Sequence, residues 1–302
     1  MERDVKSPAA ARLWLERIGL ALMRRIALLP VAWQFGVGRL IGRLLFRFSP
    51  SRRHIAETNV RLCFGHLSAS EQRRLVDDIF RANGINIVET AIAWFRNPGD
   101  FSSRVTISGL EQLRDAHARG KGVLLVGAHF SSMEIGLALL SLAVDFAGVY
   151  RRNKKNPTLE QTAMQGRQRF LERVIERKDI RTMFRHLEAG GILWYAADHD
   201  YGARHSVFVP FFGVPAATIT AAARLARHNS SAVFFATFLR DEANLRWIID
   251  LQPVPDYPSD DPVADARRLN AILEEALSAD PSQYLWLHRR FKTRPPGEAK
   301  VY

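Results

Sequence analysis

Between residues 18 and 48 the apolar positions form one long run that cations keep interrupting: IGLALMRRIALLPVAWQFGVGRLIGRLLFRF. Arg24 and Arg25 break it early, and from 26 to 38 only Gln34 is polar. Arg39, Arg43 and Arg47 then recur at every fourth position along one helix face, with Leu40, Leu44, Leu45 and Phe48 on the other side. This is the pattern of a basic amphipathic helix at an anionic interface. An amphipathic core helix would share the periodicity, but eight arginines face one acid, Glu57, between Arg24 and Arg61. Residues 1–50 are therefore expected to form a helical membrane-anchor segment, tilted through the bilayer or lying along it. The start carries Glu2, Asp4 and Glu16, and the arginines follow the apolar region. That order predicts retention of the segment rather than cleavage as a signal peptide.

Residues 52–96 read as helical. Val60, Leu62 and Phe64 precede a turn, Ser68 and Glu71 have the spacing of a capping box, and Leu75, Ile79, Ile85 and Val88 follow at helical spacings. Pro98-Gly99 closes this section. From residue 105 strand and helix signals alternate. Residues 123–126, Val-Leu-Leu-Val between glycines, have the mark of a buried parallel strand. A helix over 131–143 and a strand over 144–151 follow, then helices over 159–176 and 180–189 and a strand over 192–197. A helix over 218–228, strands over 232–238 and 245–251, and a helix over 261–277 complete the order. The alternation predicts an α/β fold, a mainly parallel mixed sheet flanked by helices. Catalytic groups in such folds sit at the carboxyl ends of strands. The expected organisation is the anchor segment 1–50 and one catalytic domain over 51–302, helical over 51–104 and α/β over 105–302.

Composition narrows the partners. A chain of 302 residues with 47% hydrophobic and 25% charged residues has ample material for a core, which excludes a mostly disordered protein. The single cysteine, Cys63, excludes an internal disulfide framework and a cysteine-ligated zinc site. Lys and Arg total 43 against 31 Asp and Glu, and a net charge of +12 calls for an anionic partner: nucleic acid, anionic lipid or an acidic protein.

The sharpest chemical feature is His129-Phe-Ser-Ser-Met-Glu134, directly after the strand at 123–126. Five helical steps turn about 140°, so the two side chains can meet only if His129 lies in the turn and Glu134 in the helix. A neutral imidazole can then remove a hydroxyl proton while a carboxylate on its other nitrogen fixes the tautomer. A solvated histidine near a helix start is the plainer reading. Asp198-His199-Asp200 follows another strand. It is either part of a metal site with His129 and Glu134 or a structural carboxylate that orients arginines, Arg167 or a neighbour among them. Basic clusters lie at Arg151, Arg152, Lys154 and Lys155, at Arg167 and Arg169, and at Arg289, Arg290, Lys292 and Arg294. Arginine suits bidentate binding of phosphate or carboxylate. Tyr284, Leu285, Trp286, Leu287 and Phe291 flank the last cluster, a mixture suited to lipid, nucleic acid or an acidic protein. No nucleophile elbow, Walker loop or complete GxGxxG is present. Direct transfer assisted by a general base therefore fits better than covalent catalysis. Phe130, Met133, Trp194, Phe208, Phe211 and Phe212 are candidate walls of an apolar pocket.

Several stretches together resemble a known family. They are VGAHFSSMEIG at 126–136, GVYRRNKKNP at 148–157, Gly166-Arg167, LWYAADHDYG at 193–202, SVFVPFFG at 206–213 and QYLWLHRRFKTRPPGE at 283–298, with 53–64 and 89–95 in the N-terminal half. Over roughly residues 15–302 the chain resembles the late acyltransferases of lipid A biosynthesis, the lauroyl/myristoyl group, and its C-terminal LWLHRRFKTRP is most similar to the lauroyl-type members. The resemblance implies transfer of a fatty acyl chain from acyl carrier protein to a hydroxyl on an acyl chain of a Kdo-bearing lipid A precursor. It implies work at the cytoplasmic face of the bacterial inner membrane, with anionic membrane lipid as a further partner. It implies no cofactor beyond the acyl carrier protein-bound thioester as co-substrate, no metal and no nucleic acid. By matching residue to residue it implies His129 and Glu134 as the catalytic pair and Arg167 and Asp198 as the other two site positions. Arg151, Arg289, Arg290, Lys292 and Arg294 are the expected substrate-binding cations. A metal-dependent hydrolase at a membrane surface, using His129, Glu134, Asp198 and His199, and a basic nucleic-acid-binding protein are the alternatives.

Overall fold

The computed structural model describes the backbone from Pro8 to Tyr302 and side chains from Leu13 onward; Glu2 and Asp4 lie outside the described residues. Four helices come first: α1 (Pro8–Ile26), α2 (Val31–Phe48), α3 (Pro50–Cys63) and α4 (Ala69–Phe95). Ser68 caps α4 as its spacing predicts. Its hydroxyl accepts the Glu71 N–H at 3.3 Å, and the Glu71 carboxylate accepts the Ser68 N–H at 2.8 Å.

Helices α2 and α4 pack backbone against backbone. A methyl at Gly42 would come within 2.4 Å of the Phe80 carbonyl oxygen, and one at Gly84 within 2.2 Å of the Gly38 oxygen. Only glycine permits that approach. The buried face of α2 is thus Gln34, Phe35, Gly38 and Gly42. Its other face exposes Trp33, Leu40, Leu44 and Phe48, and α1 exposes Trp14, Leu15, Ile18 and Leu22. Among the described residues no helix is long and apolar enough to cross a membrane. This corrects the expectation of a tilted span. The chain turns at Pro30, the arginines interrupt both helices, and one stripe of α2 is spent on α4.

The α/β part follows as β1 (Val105–Ser108), α5 (Leu110–Ala118), β2 (Val123–Gly127), α6 (Met133–Leu140), β3 (Ala147–Tyr150), α7 (Pro157–Arg167), β4 (Arg173–Glu176), α8 (Ile180–Glu188) and β5 (Ile192–Ala196). Then come β6 (Ser206–Phe211), β7 (Val214–Ile219), α9 (Ala221–Asn229), β8 (Ala232–Asp241), β9 (Arg246–Pro253) and α10 (Pro262–Leu277). Seven strands form one sheet in the order β1-β9-β8-β2-β5-β3-β4. Every pairing is parallel except β8 with β9. The expected mainly parallel mixed sheet is what forms. Strand β2 is buried at every position, as its unbroken apolar run requires. Helix α6, backed by α4, packs on β8 and β9, while α8 and α9 pack on each other and on β5 and β2.

Two local expectations are corrected. The helix expected over 159–176 stops at Arg167, and residues 173–176 form β4 instead. Arg173-Val-Ile-Glu176 has no strong alternation, and it extends because β3 offers a parallel partner, with Ile175 buried. Residues 206–219 form the antiparallel hairpin β6–β7 outside the main sheet, where sequence patterning had placed no strand. Phe212 at its turn takes φ +48, next to Gly213 at φ +75.

Candidate active site

Parallel register decides which residues meet. Gly127 of β2 pairs with Ala196 of β5, so His129 and Asp198 leave adjacent strands at the same height, each two residues beyond that pair. Nδ1 of His129 lies 2.7 Å from Oδ1 of Asp198, and the His129 backbone N–H donates to Oδ2 at 3.2 Å. The Asp198 side chain is 4% exposed and that of His129 25%. Burial pushes the Asp198 carboxyl up, but His129 beside it and these hydrogen bonds outweigh burial and hold it well below the usual carboxylate range. An ionised carboxylate only accepts, so Nδ1 carries the proton and Nε2 is left as the basic nitrogen. Burial, with the charge of Asp198 adding to it, pushes the neighbouring Tyr284 hydroxyl well above its ordinary pKa.

Glu134 plays a different part from the one its spacing suggested. It lies in the first turn of α6, and its Oε1 accepts from Trp94 Nε1 at 2.7 Å and from Arg167 Nε at 2.8 Å. Its Oε2 accepts from Arg167 Nη2 at 2.8 Å, completing a bidentate pair. Burial raises the Glu134 pKa, yet Arg167 and the Trp94 hydrogen bond bring it below the ordinary value. The carboxylate on the imidazole is therefore Asp198, and the carboxylate on the guanidinium is Glu134. Both assignments reverse the expected partners. The physical reason is reach across the sheet: Arg167 ends α7, and Gly166 lets that turn press on Trp94, where a methyl would come within 2.6 Å of the indole.

All three members of Asp198-His199-Asp200 are used. The His199 ring stacks on His129 at 3.7 Å with 5° between planes, and His288 stacks on His199 at 4.2 Å and 18°. Asp200 tethers the C-terminal segment, accepting from Thr293 N at 2.6 Å and Thr293 Oγ1 at 2.8 Å. The backbone of the His129 loop is held from the same side, with Ser131 N–H donating to Gln283 O at 2.7 Å and Leu285 N–H to His129 O at 3.0 Å. Ser132 donates to buried Glu89, which also accepts from Trp247 Nε1 and Arg240 Nη1 at 2.7 and 2.8 Å. Sequence reading missed Trp94, Glu89, Tyr284 and His288 as parts of the site. Tyr284 and His288 lie inside the aromatic and cationic segment 284–294, and Glu89 and Trp94 inside the stretch 89–95, but nothing in the spacing joined either segment to His129.

A cavity of about 890 Å³ opens beside His129, Glu134, Arg167 and His199. Met133, Leu137, Leu171, Met183, Phe184 and Trp194 supply apolar wall. Arg151, Arg177, Lys178 and Arg224 also line it, so it joins an apolar interior to cations. Of the six proposed wall residues, Met133 and Trp194 line the cavity, whereas Phe130 and Phe211 are buried in the core. Of the five expected substrate-binding cations, Arg151 lines it. Arg290 is 1% exposed and donates to Ala217 O at 2.9 Å and Thr218 Oγ1 at 3.0 Å. Arg294 donates to Pro215 O at 2.7 Å and pairs with Glu298. These two cations clamp the β6–β7 hairpin, which corrects their expected role. Lys292 Nζ donates to Asp200 O at 3.1 Å, and Arg289 is exposed, over the Tyr302 ring.

His129, Asp198 and His199 bring one ligand-type atom each within 4.8 Å of one another. The donor set fits a metal poorly. Stacked parallel rings direct their nitrogens side by side rather than toward one point, and Glu134, the expected further ligand, is bound to Arg167.

A sequence model of the family described as bacterial lipid A biosynthesis acyltransferase matches residues 3–293. The chain is 36% identical over 293 residues to the lipid A biosynthesis lauroyltransferase of Escherichia coli (strain K12), covering 96% of this chain and 95% of that protein. It is 35% identical over 294 residues to the palmitoleoyltransferase of the same organism, covering 96% and 95%. To its myristoyltransferase it is 29% identical over 299 residues, covering 98% and 93%.

Proposed function

The chain belongs to the bacterial lipid A biosynthesis acyltransferases, and from that premise we propose that His129, held by Asp198, is the general base of an acyl transfer between a carrier-bound thioester and a glycolipid hydroxyl. The observation that carries this reading is the 2.7 Å contact between Nδ1 and Asp198 beside an apolar cavity of about 890 Å³. Nε2 removes the proton from the hydroxyl of a 3-hydroxyacyl chain on the Kdo-bearing precursor. The oxygen attacks the thioester carbonyl of the acyl carrier protein, and the tetrahedral intermediate collapses to the ester. The departing thiolate takes the proton back from the imidazolium, so one C–O bond replaces one C–S bond and the base is restored. Asp198 stabilises the imidazolium during the transfer.

Glu134 acts through Arg167. The bidentate pair holds the guanidinium at the cavity wall, where its charge meets an anionic part of donor or acceptor. The apolar walls hold the acyl chain, and Arg151, Arg177, Lys178 and Arg224 meet the acidic carrier or the phosphates of the precursor. Discrimination between neighbouring chain lengths rests on small differences, about 1–3 kcal/mol per methylene.

Residues 1–50 are the membrane-facing segment, and 51–302 carry the catalysis at the cytoplasmic face of the inner membrane. Support comes from the exposed apolar side chains of α1 and α2 beside exposed Arg17, Arg24, Arg25, Arg43 and Arg47. This composition suits helices lying in the interface of an anionic leaflet.

The test is acyl transfer by detergent-solubilised protein, offered a mixture of C10 to C16 acyl carrier proteins with the Kdo-bearing precursor. The expected product carries a single mass increment, lost on His129→Ala. No product from any donor with folded protein would overturn the reading. Loss of activity on exhaustive chelation would return the metal-dependent alternative.

A further inference from the structure

The base ring does not stand alone. His129 is the first of three stacked imidazoles, with His199 in the middle and His288 outermost. The middle ring has an unusual economy of contacts. Among the described residues its Nε2 is buried without a hydrogen-bond partner, an arrangement that ordinarily costs stability. Both neighbours in the stack are supplied by other parts of the fold, His129 from the end of β2 and His288 from the C-terminal segment. That segment is fixed independently, because Asn59 Nδ2 donates to Trp286 O at 2.7 Å and His288 O at 2.9 Å, and Asp200 holds Thr293. The outermost ring is therefore carried on an anchored stretch of main chain.

A hydrogen bond to Asp198 fixes where Nδ1 lies but leaves the ring free to rock about that contact. A parallel ring at 3.7 Å removes this freedom, since rotation out of plane drives one edge of His129 into His199. We propose that His199 is a positioning residue for catalysis: its planar face holds the plane of the His129 ring, aims Nε2 at the reacting hydroxyl, and supplies a π-face against which the imidazolium forms. The outer rings are suited to this role because they stay neutral. Burial and then the neighbouring His129 depress His199 to about 3, and burial depresses His288 to about 4. The transferred proton thus has one place to go, the ring paired with Asp198. A cation over a neutral aromatic face is stabilised in the protonated state and not before it.

The role rests on the acyl-transfer reading above, and the experiment separates the two. His199→Phe keeps a planar ring and removes the orphan nitrogen. His199→Met fills the slot with a flexible chain that packs without a plane. Expected are a kcat within about threefold of wild type for the Phe variant and a loss of about 30-fold for the Met variant, with KM for both substrates changed less than about twofold. The substrate-free readout is the His129 Nδ1–H proton resonance of the Asp198 hydrogen bond, identified by its loss in His129→Ala. It should persist in His199→Phe and broaden away in His199→Met. A Met variant with wild-type kcat and an intact resonance overturns the proposal. A Phe variant as slow as the Met variant overturns it too, because an imidazole nitrogen rather than a plane would then be the active feature. If wild type transfers no acyl chain, the transferase reading fails while the resonance still reports whether His199 fixes the ring.

Discussion

Asp198 contacts His129 twice, through Nδ1 of the ring at 2.7 Å and through the backbone N–H at 3.2 Å. One carboxylate thus fixes both the ring's tautomer and the position of the main chain that carries it. The two residues stand side by side because β2 and β5 are parallel neighbours in register.

Asp198→Asn should abolish most of the turnover while preserving the fold. An amide can donate its N–H to Nδ1, which moves the ring proton to Nε2 and leaves no base facing the substrate. Where this change has been made in a His–carboxylate pair the loss was about 10⁴-fold, and a kcat decrease of at least about 10³-fold is expected here with little change in KM. Steady-state acyl transfer measures it, and a loss below tenfold would remove Asp198 from the mechanism.

Glu134→Gln should destabilise as well as slow the enzyme. It removes the counter-charge from a guanidinium that is 25% exposed and held bidentately. Breaking a largely buried pair from one side costs about 3 kcal/mol. Arg167→Met should cost a similar amount, and the double variant clearly less than the sum of the two. Denaturant unfolding of the four proteins checks this; strict additivity would mean that the pair contributes nothing.

Stability should fall as pH drops from 6.5 toward 4. His199 and His288, depressed to about 3 and about 4, are neutral in the folded protein and return to about 6.5 on unfolding. The unfolded chain therefore binds more protons across that window, so unfolding becomes easier with acid. Glu134 and Asp198, both held below the ordinary carboxylate values in the folded protein, add to the decline as the pH nears those values. Thermal unfolding at pH 7, 6 and 5 should show a decline that is shallower in His199→Phe. A Phe variant with the wild-type slope would show that His199 is already protonated when folded.

Vesicle binding should depend on anionic lipid and weaken with salt. Arg43 and Arg47 are exposed beside Leu40, Leu44 and Phe48, and each cation near such a surface is worth about 1 kcal/mol. Arg43→Gln and Arg47→Gln should each weaken binding about fivefold, and Trp33→Ser should weaken it on neutral vesicles too. Flotation with and without competing DNA provides the readout. Displacement by DNA at equal charge would point to bare electrostatics instead of insertion.

Local chemistry was legible from sequence wherever neighbours along the chain determine the outcome. The Ser68–Glu71 cap forms as its three-residue spacing requires, and the glycine-bounded run at 123–126 becomes the buried central strand. His129 at a strand end followed the same rule. Its carboxylate partner did not, because the choice between Glu134 and Asp198 depends on which strands are neighbours, and strand order is not written in spacing along the chain. The same holds for Arg290, indistinguishable in sequence from the exposed Arg289 beside it until the fold buries one and not the other. Gly38 and Gly42 belong to no complete GxGxxG motif in the sequence. They are the surface on which α2 meets α4, a contact visible only when Gly84 is brought against them. Sequence determined most of the elements, the charge and the residue types gathered at the site, since those rest on local periodicity and composition, whereas β4 and the β6–β7 hairpin needed their strand partners. Tertiary structure decided the pairings, because hydrogen bonds and ring stacks at 2.7–4.2 Å join residues far apart in the chain, 69 positions for His129 with Asp198 and 229 for Asn59 with His288.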